Sequence, residues 1–181
     1  MQVANTKREG QIAPTVVLGK DNQSLESAQE LAFSLGKKMT YLRPEKFLSL
    51  SAGTAPQMEE VLFGALKAAN VDVKISNEMT GDSAQAIKNT VSKPVLDYIG
   101  KVAGQLNDES PKGIVQNWLE ASELTANRAG FILCDDLHTA AKMVAKEKGP
   151  SFLTKTEQLQ ELLAYSVSED YFALRSQLGL Q

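Results

Sequence analysis

The stretch from residue 119 to residue 141 reads LEASELTANRAGFILCDDLHTAA, and it says more about the fold than any other part of the chain. With the residues just before it, this stretch places four side chains at spacings of three and four, which puts them on one face of a helix: Ile114, Trp118, Ser122 and Thr125. This periodicity predicts a long helix from about residue 112 to residue 133. Asp135 or Asp136 then supplies an N-cap for a further helix that ends near residue 149.

Outward from this stretch, the same spacing of apolar residues predicts helices at about residues 25–42, 57–69, 83–106 (two, divided near Pro94), 155–166 and 168–178. Pro44 is expected to end the first of these, because the residue before a proline is pushed out of helical geometry. The last two helices are expected to bury a set of large apolar residues: Leu159, Leu162, Leu163, Tyr171, Phe172 and Leu178.

Strand signals are few and lie mainly before the first helix. The β-branched run from Pro14 to Leu18, closed by Gly19, predicts one short strand. Residues 71–75 alternate in polarity and fit either a second strand or a linker. Residues 1–13 are polar and are expected to be a flexible lead-in to a single domain at 14–181. The predicted fold class is therefore α+β and predominantly α-helical, with about seven helices and one or two short strands.

Composition sets broad limits on function. The 181 residues are 43% hydrophobic and 23% charged, as in ordinary globular proteins, and the net charge of −3 gives no global attraction to nucleic acid. Cys134 is the only cysteine, so an internal disulfide is excluded and a reducing compartment fits. No apolar run approaches the roughly 18 residues that a spanning helix needs. We therefore expect no membrane insertion and a cytoplasmic location.

The segment Glu123-Leu-Thr-Ala-Asn-Arg-Ala-Gly130 resembles the helix that carries the third metal ligand in zinc metallopeptidases of the HExxH, or gluzincin, type. In that family the helix typically reads E-x-x-A-D-R-A-G, with the glutamate on zinc and the aspartate orienting a ligand. Glu123 matches the ligand here, and Asn127 stands in place of the aspartate.

The partner motif of that family is altered in this chain. Gln29-Glu-Leu-Ala-Phe33 stands where the family has His-Glu-x-x-His. An amide is a poor zinc ligand and a phenyl ring has no donor atom, so one ligand of the usual three is left. Without zinc there is no activated water. The resemblance thus implies a pseudoenzyme with no metal and no cofactor, whose vestigial site would consist of Gln29, Glu30, Phe33, Glu123 and Asn127.

Further phrases extend the resemblance to degenerate domains at the ends of large bacterial proteins rich in tetratricopeptide repeats. They are Glu30-Leu-Ala-Phe33, Leu42-Arg-Pro-Glu45 and Asn127-Arg-Ala-Gly-Phe131. This resemblance implies that the chain is a fragment of a larger protein and associates with such repeats. The repeats themselves do not occur in the sequence.

Three of these residues, Glu30, Phe33 and Glu123, also have a structural interpretation. Ser27 and Glu30 fit a capping box if the first helix begins one turn after residue 25. Phe33 fits a core position. Glu123 is either a surface partner of a cation such as Arg128, or a buried carboxylate that needs a partner of its own. Gly130 is expected to allow close helix packing.

Three hypotheses for function follow. The first is a protein-binding or scaffolding module, with an extended peptide docked along the strand residues Thr15, Val16, Val17 and Leu18. The second is a metal-independent enzyme in which Glu30 and Glu123 form an acid/base pair with split pKa values. The third is an oligomerisation domain that uses the apolar residues of the last two helices.

Overall fold

The computed structural model describes residues 2–8, 10–17, 19, 27–52, 54–71, 80–104, 111–149 and 151–180. Contacts between Cα atoms divide the chain into two compact units, where the sequence predicts a single domain. Unit 1 consists of Met1–Leu50 and Glu120–Gln181, and unit 2 consists of Ser51–Leu119. Each unit is described separately below.

Helices dominate the described residues, which confirms the predominantly helical fold class. The two strands are β1 (Gln2–Arg8) and β2 (Gln11–Val17). The helices are α1 (Ala28–Thr40), α2 (Pro44–Ala52), α3 (Ala55–Ala68), α4 (Thr80–Thr90), α5 (Lys93–Ala103), α6 (Pro111–Cys134), α7 (Leu137–Lys146), α8 (Lys155–Ser166) and α9 (Glu169–Gln177). In the described part of the chain, no helix is long and apolar enough to cross a membrane.

The N-terminal residues form a hairpin instead of the flexible lead-in that the sequence suggests. Strands β1 and β2 pair antiparallel, from Gln2 opposite Val17 to Arg8 opposite Gln11. Gly10 turns the chain with φ +83°, a conformation that glycine adopts without steric cost. The strand expected at residues 14–18 is thus present up to Val17, and it begins three residues earlier. Residue 18 and residues 72–75 of the other possible strand lie outside the described residues.

Helix ends follow local chemistry closely. Ser27 is the N-cap of α1, and its Oγ accepts a hydrogen bond of 3.2 Å from the Glu30 N–H, so the later of the two possible starts is the observed one. Helix α1 ends at Thr40, before Pro44 and earlier than expected, and Pro44 begins α2, a helix that the sequence did not predict. Proline is favoured at the first position of a helix, where its missing N–H has no partner to lose.

The core of unit 1 lies where α6, α7, α8 and α9 meet α1. Its buried members are Phe33, Phe131, Cys134, Ala140, Val144, Leu162, Tyr165 and Tyr171. The rings of Phe131 and Tyr171 stack with centroids 4.6 Å apart. Three residues expected in this core are instead exposed: Leu163 (58%), Phe172 (60%) and Leu178 (59%). Neighbouring residues on a helix point about 100° apart, so Leu162 and Tyr171 reach the core and their neighbours Leu163 and Phe172 do not, while Leu178 follows the end of α9.

Unit 2 is built on α3, which packs against α4 and α5. Its buried residues include Met58, Phe63 and Leu66 on α3 and Ala84 on α4. Gly64 allows the close approach of α4, because a Cβ atom at this position would lie 2.9 Å from the Ser83 Cβ. Helix α5 itself has no buried residue.

Two glycines set the approach of α1 to α6 within unit 1. A Cβ atom on Gly36 would lie 2.5 Å from the Ala129 carbonyl oxygen, and one on Gly130 would lie 2.7 Å from the Phe33 carbonyl oxygen. These distances are far shorter than a van der Waals contact, and the neighbours are backbone atoms. The expectation that Gly130 serves close helix packing is therefore confirmed.

We expect Gly36→Ala to lower the free energy of unfolding by about 1–3 kcal/mol, the usual cost of overpacking. Helix propensity alone would favour alanine by about 1 kcal/mol, but the clash is with backbone that moves only if α6 shifts as a whole. The control is Gly100→Ala, whose new Cβ atom would lie 3.4 Å from the nearest atom, an ordinary contact. Urea denaturation should show the control at or above wild-type stability. Equal behaviour of the two variants would contradict the close crossing.

Candidate functional site

The residues of the resemblance that lie on α1 differ in burial. Gln29 is exposed, whereas Glu30 and Phe33 are buried. The Glu30 carboxylate pairs with the ammonium group of Lys142 on α7, with 2.9 Å between Oε1 and Nζ. The structure therefore uses Glu30 to join α1 to α7, and it brings Gln29 to the surface.

Phe33 fills space at the crossing of α1 and α6. Two atoms of its ring, Cδ2 and Cε2, lie 2.9 and 3.0 Å from the position that a Cβ on Gly130 would occupy. The side chain is a member of the unit 1 core. Burial of a phenylalanine contributes about 1.5–3 kcal/mol to folding, so this position has a structural role in the helix crossing.

Glu123 on α6 is buried, and both oxygens of its carboxylate accept hydrogen bonds. Oε1 lies 2.7 Å from the Ser151 hydroxyl, and Oε2 lies 2.9 Å from the Phe152 N–H. These donors belong to the segment between α7 and α8. Of the two interpretations drawn from the sequence, the buried carboxylate is the observed one, and its partners are neutral donors. Glu123 thus anchors the segment that leads into α8.

Asn127 lies one turn after Glu123 on the same face of α6 and continues this network. Its side chain is fully buried, and its Nδ2 donates to the Gln158 Oε1 of α8 at 3.1 Å. Gln158 in turn donates to the Ser151 Oγ at 2.8 Å and to the Leu153 carbonyl at 3.1 Å. Glu123 and Asn127 therefore hold α8 and its leading segment against α6 through one set of buried hydrogen bonds.

A partly buried ion pair, which no short-range sequence pattern indicates, lies near this network. Lys37 on α1 is buried, and its Nζ lies 2.5 Å from the Glu147 Oε2, 110 residues along the chain. Burial lowers the pKa of the Lys37 ammonium, and the charges of Glu147 and Glu123 oppose that effect. The sequence indicates the burial of Lys37 only through its position, because Lys37 follows Phe33 by one turn on the face of α1 that the core covers.

Tyr41, just after α1, lies close to the same carboxylates. Burial raises the pKa of its hydroxyl well above the ordinary value of 10.0, and the negative charges of Glu123 and Glu147 raise it further. An unfolded chain would release this proton near pH 10, while the folded protein retains it. The stabilisation that depends on protonated Tyr41 is therefore complete below pH 10 and is lost as the pH rises beyond it.

We expect the stability difference between the wild type and Tyr41→Phe to shrink above about pH 10, by up to about 1.4 kcal/mol per pH unit. Lys37, whose pKa is lowered, contributes an opposite slope in alkaline solution to both proteins, so it cancels in the difference. Urea denaturation from pH 8 to pH 11 measures the effect. Tyr98→Phe is the control, because the Tyr98 side chain is 66% exposed and its substitution should leave the difference constant. A constant difference for Tyr41→Phe would contradict the buried environment of its hydroxyl.

The remaining predicted site residues are dispersed. Thr15, Val16 and Val17 lie on β2 and are half-buried, and Leu18 lies outside the described residues. Docking of a peptide there stays a prediction. Glu30 pairs with Lys142, and Glu123 accepts hydrogen bonds from Ser151 and Phe152. An acid/base pair of Glu30 and Glu123 stays a prediction. His138 is exposed at the start of α7, and among the described residues no group of three or more His, Cys, Asp or Glu side chains is arranged to hold a metal ion.

The residues that the sequence grouped as one vestigial site thus divide into three structural positions. Gln29 is at the surface, Glu30 and Phe33 join α1 to α7 and α6, and Glu123 with Asn127 joins α6 to α8 and the segment before it. Comparisons of the chain with protein-family models, with curated proteins and with solved structures gave no match.

Proposed function

We propose that this chain is a catalytically inactive, metallopeptidase-like domain that serves as a protein-binding or scaffolding module. The observation that carries the proposal is the engagement of Glu123. Both oxygens of the carboxylate that matches the family's metal ligand accept hydrogen bonds from Ser151 and Phe152. A metal ligand must offer a lone pair to the ion. Here two of the roughly four acceptor sites of the carboxylate bind donors of the segment before α8, so Glu123 contributes to the fold itself.

The other matching positions support the same proposal. Phe33 occupies the crossing at Gly130 with packed apolar volume, and the Glu30 carboxylate faces the Lys142 ammonium. Exchange of a polar site for packed apolar residues is often neutral or stabilising for a fold. A domain whose interior has changed in this way retains a surface that can bind other proteins. We propose the tetratricopeptide repeats of a larger chain as one such partner.

Elemental analysis and a protease assay test the loss of catalysis. The purified protein, incubated with excess zinc and then desalted, should retain far less than one zinc per chain. It should cleave neither casein nor a mixed peptide library at a rate that a chelator changes. Glu123→Gln is the matched control, since it removes the carboxylate at similar size. One zinc per chain, together with chelator-sensitive cleavage that Glu123→Gln abolishes, would overturn the proposal.

A second function, oligomerisation through α8 and α9, is favoured by a specific observation. The two helices, the turn between them and the residue after α9 leave five large apolar side chains exposed: Leu163, Val167, Phe172, Leu174 and Leu178. Exposed apolar residues that form a contiguous patch are typical of interaction sites. If these residues join copies of the chain, light scattering should give the mass of an oligomer, and Phe172→Glu should reduce it to that of a monomer. Met39→Glu, on exposed apolar surface of α1, should not change the mass.

A further inference from the structure

A groove runs along the surface of unit 1 between α6 and α9, with Tyr165 of α8 among the residues that line it. Its volume is about 440 Å³. The α6 wall consists of Thr125, Arg128, Ala129 and Ile132, and the α9 wall consists of Asp170, Ala173, Leu174 and Gln177. Each wall therefore presents the positions i, i+3, i+4 and i+7 of a helix, which form one continuous face over two turns.

Four of the residues that line the groove are apolar: Ala129 and Ile132 on α6, and Ala173 and Leu174 on α9. The two alanine side chains are small and therefore leave room for the side chains of another molecule. Leu174 is partly exposed, so its apolar surface is open to a partner.

Charged residues of opposite sign lie at the end of the groove near Tyr165. The Arg128 guanidinium stacks over the Tyr165 ring at 4.7 Å from its centroid, and its Nε donates to the Glu161 Oε1 at 2.5 Å. These contacts fix the guanidinium in place while 45% of the side chain stays exposed. Asp170 stands on the opposite wall, in the first turn of α9. The groove thus presents on the α6 side the exposed part of a guanidinium that is paired with Glu161, and on the α9 side the carboxylate of Asp170.

The walls favour a helical occupant over an extended one. Both are α-helices, whose backbone N–H and C=O groups are bonded within the helix. An extended peptide gains most of its affinity from hydrogen bonds to a free strand edge, which these walls do not provide. A helix satisfies its own backbone and needs only apolar side chains to fill the groove, as in helix-in-groove recognition.

We propose that this groove binds an amphipathic helix of a partner protein. Its apolar stripe would fill the space between Ala129, Ile132, Ala173 and Leu174. An acidic residue beside the stripe would meet Arg128, and a basic residue on its other side would meet Asp170. This inference rests on the proposed function, because it names the kind of partner that the binding module takes.

A displayed library of helix-forming peptides about 15 residues long tests the proposal. Each peptide carries leucine at i, i+3, i+4 and i+7, and the positions beside this stripe vary among Glu, Lys and Ser. Selection on the wild-type protein should enrich Glu on one side of the stripe and Lys on the other. Selection on Asp170→Lys should replace the enriched Lys by Glu. Selection on Glu169→Lys, the same charge change at the neighbouring position outside the groove, should leave the wild-type pattern.

Fluorescence anisotropy of an enriched peptide then locates its binding surface. Leu174→Glu should weaken binding at least about thirtyfold, because it places a charge among apolar groups, and Asp170→Lys should weaken it about tenfold. Leu163→Glu and Glu169→Lys should each change affinity less than threefold. Circular dichroism confirms that each variant is folded.

Three outcomes would overturn the inference. They are the absence of any enriched peptide, equal binding to Leu174→Glu and the wild type, and a dimer that Leu174→Glu dissociates, which would make a second copy the occupant. The zinc and protease assays are independent of these results. An inactive, zinc-free protein that enriches no peptide loses only the groove, whereas chelator-sensitive cleavage removes the proposed function whatever the peptides do.

Discussion

Replacing Leu162 by alanine should lower the free energy of unfolding of unit 1 by about 2–5 kcal/mol, the range for leucine deletions in packed cores. The Leu162 side chain is 0% exposed and belongs to the cluster that includes Phe131, Val144 and Tyr171. Its removal combines the loss of buried apolar surface with a cavity that the surrounding aromatic rings fill only in part. Thermal and urea denaturation, followed by circular dichroism, measure the change.

Leu163→Ala is the matched control for this experiment. It removes the same atoms from the next residue of α8, but the Leu163 side chain is 58% exposed. Surface substitutions of this kind usually change stability by less than about 0.5 kcal/mol. Equal losses for the two variants, or a larger loss at Leu163, would mean that α8 is rotated about its axis relative to the structure described here.

Replacing Glu123 by alanine should cost about 2–4 kcal/mol, because two hydrogen bonds to a charged acceptor are lost and their donors remain in a partly buried setting. The donors are the Ser151 hydroxyl and the Phe152 N–H. The segment before α8 then loses its main attachment to α6. We expect the Phe152 amide to exchange with solvent deuterium faster than in the wild type, and by more than the amides in the middle of α7.

Two further variants divide the loss of stability expected for Glu123→Ala between its two hydrogen bonds. Ser151→Ala removes one donor to Glu123 and the Oγ that accepts from Gln158, and it leaves the Phe152 bond in place, so it should cost about 1–2 kcal/mol. Glu123→Gln keeps the side-chain size and one acceptor oxygen, and it should fall between the two alanine variants. If Glu123→Ala proved as stable as the wild type, the carboxylate would not anchor this segment, and the main support for the proposed function would be lost.

The expectation for Glu123→Ala bears on function as well as on stability. A carboxylate kept for catalysis commonly costs stability, because a charge is held where it lacks partners. The contacts of Glu123 predict the reverse, a residue whose loss weakens the fold. The sign of the change at Glu123 therefore distinguishes a structural carboxylate from one kept for chemistry.

Most helices could be predicted from the sequence because their signals are local. The expected helix at residues 155–166 matches α8 at both ends, and the long helix expected at 112–133 differs from α6 by one residue at each end. Capping residues and prolines mark these ends within a few positions of the chain. Helix α2 was missed because Pro44 was taken only as the end of one helix, although proline is equally suited to begin the next.

The candidate site was harder to predict, because its contacts join distant parts of the chain. Lys37 and Glu147 are 110 residues apart, and Glu123 bonds to residues 28 and 29 positions further on. The sequence pattern placed Glu123 and Asn127 on one helix face correctly, since that spacing is a property of the helix. Their partners follow from how α8 and its leading segment fold back, which no short-range pattern records.

The sequence by itself determined the helical class, most helix boundaries and the absence of histidine at positions 29 and 33, because each depends on residue type and spacing within a few turns. Only the tertiary structure decided that Leu162 is buried and Leu163 exposed, that Glu123 bonds to the segment before α8, and that α6 and α9 leave a groove between them. Burial and hydrogen bonding depend on which distant surfaces meet. Which surfaces come into contact is decided by close packing of the whole unit, as at Gly36 and Gly130, and not by the local pattern of any one helix.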